Sequence, residues 1–136
     1  MKAQLMICDQ IANNTQLKGH VLGTVLNSLT VPVLPFAIEL HVLVKLFYLP
    51  REDSVDTALS IADANGEIIG LTPATVLRNY RAADQIPGVD QDLTVTLVVT
   101  EPGIIHVRCM LNGEEAASYP LTIRLEECQA SRTDIC

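Results

Sequence analysis

Tryptophan is absent from this sequence, and all aromatic residues together make up only 4 % of it. A core built here cannot rest on stacked rings, so it falls to Val, Leu and Ile. Charge is also sparse, at 18 % of residues against roughly 25 % in an ordinary domain. Lys and Arg number only nine against sixteen Asp and Glu, for a net charge of −7. The nine are spread along the chain without a cluster. Nucleic acids and anionic membrane surfaces need a basic patch, so neither is expected as a partner. None of the four cysteines, Cys8, Cys109, Cys128 and Cys136, stands in a C-x-x-C or C-x-x-H spacing. No zinc site is expected, and no other metal or cofactor. There is no G-x-S-x-G, no P-loop and no D-x-D-x-D-G run, which leaves nucleophilic catalysis, nucleotide binding and an EF-hand without a motif.

Long unbroken apolar runs are missing too. Val31 to Leu49 is the most apolar stretch, and Pro32, Pro35, Glu39, His41 and Lys45 interrupt it. It therefore reads as strand and not as a membrane span. The opening Met1 to Asp9 lacks the apolar region and small-residue cleavage site of a secretory signal. A cytoplasmic protein is the expectation, with its thiols reduced. Cys8 and Cys109 fall in strand-like runs, where a free thiol behaves as a small hydrophobe. Cys128 and Cys136 lie in a polar tail and could pair only under oxidising conditions.

What the chain has in quantity is hydrophobic residues, 49 % of 136. That is high for a monomer and predicts a self-association surface. The organising stretch is Phe36 to Leu49. Phe36, Ile38, Leu40, Val42, Val44, Leu46 and Tyr48 form one apolar set. Ala37, Glu39, His41, Leu43, Lys45, Phe47 and Leu49 form the other, broken by three polar groups. Period two with one dry face predicts a half-buried β-strand.

The rest of the chain follows the same pattern. Strands are predicted at Ala3 to Asp9, Gln16 to Leu29, Val55 to Asp63, Glu67 to Thr72, Gln91 to Thr100, Ile104 to Leu111 and Glu114 to Leu125. Turns fall at Asn13-Asn14-Thr15, Arg51 to Ser54 and Glu101-Pro102-Gly103. Pro73 to Asp90 reads as one long loop. Asn65-Gly66 and Asn112-Gly113 are hairpin signals. Keeping apolar residues opposite one another favours three-residue loops with a bulge glycine. That pairs Ile105 with Tyr119, Val107 with Ala117, Ile61 with Ile69 and Leu59 with Leu71. The fold expected is all-β: an antiparallel two-sheet sandwich of about eight strands, immunoglobulin-like or jelly-roll-like. It occupies residues 1–125 as a single domain, followed by a polar C-terminal tail at 126–136.

Several segments together form a family pattern. They are Leu5-Met6-Ile7-Cys8-Asp9, Val21-Leu22-Gly23-Thr24, Ile61 to Gly66, Glu101 to Val107, Leu111-Asn112-Gly113-Glu114 and Pro120-Leu121. With the Pro-rich approach to the long strand, they make the chain resemble an uncharacterised bacterial family of small stand-alone immunoglobulin-like β-sandwich proteins. The resemblance covers the chain to about Leu125. It implies the sandwich fold and the absence of a signal peptide, and it implies no activity and no functional residue.

The candidate binding residues are Glu39, His41, Leu43, Lys45 and Phe47, on the outer face of the long strand. Glu39 two residues from His41 has the spacing to orient a general base, and the bland alternative is a solvated sheet face. Leu43, Phe47 and Leu49 on that face suggest contact with another protein. His20, His41 and His106 lie on three strands, and no spacing forces them together. The acidic groups Glu52, Asp53, Asp56 and Asp84, Asp90, Asp92 read as solvated loops. No catalytic residue is assigned. The functional expectation is a non-enzymatic protein-binding or assembly module, a homo-oligomer or partner-bound. One alternative is a small-molecule binder or enzyme with a cleft under the 73–90 loop. The other is a structural subunit of a larger particle.

Overall fold

The computed structural model describes residues 1–127. The predicted tail, beyond its first two residues, and the pairing of Cys128 with Cys136 lie outside them. Among the described residues the chain is all-β, with eleven strands and no helix. In order these are β1 (Lys2–Cys8), β2 (Ile11–Asn14), β3 (Gly19–Leu22), β4 (Ser28–Val31), β5 (Phe36–Phe47), β6 (Ser54–Ala62), β7 (Ile68–Leu71), β8 (Thr75–Arg78), β9 (Gly88–Val99), β10 (Gly103–Leu111) and β11 (Glu114–Leu125). The count exceeds the eight expected because the short β2 and β8 lie outside the predicted strands and the predicted Gln16 to Leu29 strand is two, β3 and β4. Four residues carry too few alternations to stand out from the turns around them. β8 lies inside the stretch predicted as loop.

Three sheets form: β1-β5-β9, then β4-β11-β10-β6-β7 with β8 also on β6, and the β2-β3 hairpin. Pairing is antiparallel except for β4 on β11, which is parallel. The buried aliphatic cluster draws on both larger sheets. Ile7, Leu40, Val42, Val44 and Leu97 come from the first, and Leu59, Ile61, Val107, Leu121 and Ile123 from the second. The two sheets therefore share one core.

Residues 24–31 tie these sheets together along one side. Asp9 N–H donates to Thr24 O (3.1 Å) and Leu26 N–H to Ile7 O (2.8 Å), so this segment lines the edge of β1. It then crosses to join β11 as β4. Tyr119 on β11 donates its hydroxyl to the Leu26 carbonyl and pins the crossing from the opposite sheet.

The long strand is β5, and its inward set is buried from Ile38 to Leu46. The alternation stops at Tyr48, whose φ of 61° takes the chain out of the strand. Tyr48 is consequently exposed, and Leu49 turns into the core. Both placements reverse the predicted ones.

The predicted hairpin registers are also corrected. At Asn112-Gly113 the loop has two residues, both with positive φ (51° and 83°). Leu111 faces Glu114 and Met110 faces Glu115; then a bulge shifts the ladder, so that Cys109 faces Ala117, Val107 faces Tyr119 and Ile105 faces Leu121. Apolar residues do oppose apolar ones, but the extra residue is Ala116 and not the glycine. At Asn65-Gly66 the expected left-handed glycine is present (φ 84°), and Asp63 N–H donates to Glu67 O. Beyond it a bulge sets Ile61 against Gly70 and Ser60 against Leu71, not Ile61 against Ile69 or Leu59 against Leu71.

Candidate functional site

The outer face of β1-β5-β9 carries the predicted binding residues. Strand register sets them in rows: Glu39 beside Thr96, His41 between Cys8 and Thr94, Leu43 between Met6 and Asp92, Lys45 between Gln4 and Asp90, Phe47 between Lys2 and Gly88. Period two on three antiparallel strands makes this array, because cross-strand neighbours share a face.

Two clusters result. In the first, the Glu39 carboxylate lies 3.2 Å from His41 Nε2, and Thr94 Oγ1 lies 3.4 Å from His41 Nδ1. A carboxylate on one ring nitrogen and a hydroxyl on the other is the arrangement a general base needs. The hydroxyl contact is long for a hydrogen bond. Beside it is a depression of about 160 Å³ lined by Ile11, His41, Asp92, Leu93 and Thr94. That is well short of the roughly 300–1,000 Å³ typical of ligand pockets.

The second cluster is a knot of charge. Asp90 accepts from Lys45 Nζ (3.2 Å) and from the Arg81 guanidinium. Arg81 also donates to the Leu46 carbonyl and stacks 4.4 Å from the Phe47 ring centroid. Its side chain is 14 % exposed, so both its charge and the Phe47 ring are engaged within the chain. Gly88 makes room for it: a Cβ there would fall 1.8 Å from Leu46 O and 2.2 Å from the guanidinium. The 78–88 stretch is fastened further. Gly88 N–H donates to Asn79 Oδ1, Tyr80 N–H donates to Gly88 O, and Arg51 reaches the carbonyls of Ala82, Ala83 and Gln85.

All five predicted residues share the face, and its apolar members differ in exposure, from half-buried Phe47 to buried Leu43. Leu43 is 4 % exposed, on a strand against which β2 packs. Leu49 is in the core. His20, His41 and His106 fall in three different sheets. Arg81, Asn79, Gly88 and Thr94 were not foreseen. Only Asp90 carried a signal, as part of an acidic group, and its charge is taken up by Lys45 and Arg81. Burial raises the thiol pKa of Cys8, with help from Asp9, and pushes that of Cys109 up to about 11. Neither thiol is an activated nucleophile.

An all-β chain with an internally paired polar face is what this geometry defines. The chain belongs to a family of unknown function, DUF6941, whose profile matches residues 4–124. No curated protein matches it. Among solved structures it is similar to the alkylpurine DNA glycosylase AlkC of Pseudomonas fluorescens bound to DNA containing an abasic site analog. That match has 16 % identity and a TM-score of 0.45, covering 90 % of this chain and 30 % of the other. It is also similar to a beta-glucosidase from Listeria innocua, at 12 % identity and a TM-score of 0.46, covering 90 % of this chain and 16 % of that one. The chain thus spans less than a third of either protein.

Proposed function

We propose that this chain is a non-enzymatic binding or assembly module that engages protein, its own copies included, and works in the bacterial cytoplasm. Its two larger sheets are read as an immunoglobulin-like sandwich, since both contribute to one aliphatic core. The observation that carries the reading is the edge of β9. This strand has twelve residues and ends its sheet with β5 on one side only. Among the described residues, no backbone hydrogen bond reaches positions 91–99 from the other side. A row of unpaired N–H and C=O groups of that length is a ready template for another chain. The surplus of apolar residues in the sequence points the same way.

Light scattering on the full chain, from low micromolar to near-millimolar concentration, tests the reading. A mass above one chain is expected. A single-chain mass throughout, with no protein partner recovered in cross-linking from the native cell, overturns it. The same surfaces would serve a structural subunit of a larger particle, which differs in copy number. A small-molecule binder or enzyme has the Glu39–His41–Thr94 array in its favour and the size of the adjoining depression against it.

A further inference from the structure

We infer that the partner of the β9 edge is a second copy of this chain, joined antiparallel across a two-fold axis at Val95. The inference rests on the binding-module reading and names the surface and the register. Other strand edges are short or taken. Residues 24–26 line β1, and β4, β7 and β8 have four residues each. Natural proteins guard exposed edges with Pro, Lys, bulges or brevity. From Gln91 to Val99, β9 has no Pro, Gly, Lys or Arg, and its ladder with β5 runs without a bulge.

The sequence of this segment also matches itself. Gly88 commits its N–H and C=O to Asn79 and Tyr80, at the flank of β9 away from β5. Backbone direction alternates along a strand, so the same groups of Asp92, Thr94, Thr96 and Val98 point to the open edge. Pairing about Val95 sets Thr94 against Thr96 and Asp92 against Val98, and each of those edge groups then finds a partner. On the core side Leu93 meets Leu97 and Val95 meets itself. Both faces keep their character, because a residue always meets one of the same parity. This register uses the whole open segment, whereas an axis at Asp92 would oppose two carboxylates, which is destabilising. The three-stranded sheets of two copies then form one sheet of β1-β5-β9 and its symmetry mate. Such a contact is isologous and closes at the dimer.

The test uses Thr94 and Thr96, whose side chains are exposed, so folding is expected to survive and circular dichroism checks that it does. T94K/T96K opposes lysine to lysine across the axis, and T94E/T96E opposes glutamate to glutamate. Each alone is expected to weaken the dimer by about tenfold or more, while a mixture of the two restores it as a heterodimer. In a C128S/C136S background, T94C mixed with T96C is expected to form the 94-to-96 disulfide under mild oxidation. Either variant alone is two residues out of register and beyond the roughly 7 Å Cα limit for a disulfide. If the wild type dimerises but neither charge pair changes its mass and no 94-to-96 link forms, this edge is not the interface and self-association occurs elsewhere. A wild-type monomer at every concentration removes this dimer while leaving a different protein partner for the module.

Discussion

Gly88 is the position where one atom decides most. The arginine that neutralises Asp90 passes through the space a Cβ would occupy, and backbone oxygen bounds that space on the other side. Gly88→Ala must therefore displace both the β5 backbone at Leu46 and Arg81. A loss of about 3 kcal/mol is expected, read from urea midpoints. Cys109 offers a pH-dependent test. Its thiol is raised from 9.0 to about 11 by burial, so the folded state holds the proton more tightly than the unfolded one. Its contribution is intact below pH 9 and is lost as pH rises towards 11. Lys and Tyr titrate in the same range, so the comparison is with Cys109→Ala, whose stability should fall less steeply between pH 9 and 11.

Hairpins illustrate how an element absorbs a mismatch. The two-residue turn at Asn112-Gly113 begins in a register that would put Tyr119, Leu121 and Ile123 on the wrong face. One extra residue, Ala116, repairs it. The turn is held in place from β6, since Asn112 N–H donates to Asp56 O and Asp56 N–H to Asn112 Oδ1. The bulge, by contrast, is exposed. Deleting Ala116 joins Glu115 directly to Ala117 and leaves every cross-strand pair as it is, so the deletion should cost no more than about 1 kcal/mol. Deleting Thr122 cannot be absorbed by the bulge: it turns either Ile123 or Tyr119 and Leu121 to the opposite face. That variant is expected to fail to fold, with loss of the cooperative transition in thermal melts.

At the scale of the molecule, the two larger sheets are fastened unequally. On one side residues 24–31 bridge β1 and β11, and Tyr119 anchors the bridge. Tyr119→Phe removes the hydroxyl that bonds Leu26 O. A loss of about 1 kcal/mol is expected, together with faster hydrogen exchange confined to residues 24–31. On the other side β7 and β8 approach β9, but among the described residues no backbone hydrogen bond other than those from β5 reaches its positions 91–99. An asymmetry of this kind supplies one long open edge among the described residues, which suits a closed dimer better than an extended fibre.

Period-two alternation by itself determined that the chain is all-β, which face of β5 is dry from Ile38 to Leu46, and that His41 lies on the opposite face between Glu39 and Lys45. Those are local consequences of side-chain direction along an extended backbone. Tertiary structure decided the rest. The bulge positions follow from which faces two packed sheets must bury, and no single hairpin carries that information. Tyr48 and Leu49 exchanged places because one left-handed residue ended the alternation. The polar face was legible as a set of residues, but its pairing was not. Arg81 and Lys45 lie 9 and 45 positions from Asp90, and it takes both the folding of β9 against β5 and the fastening of the 78–88 stretch at Gly88 to bring the three together.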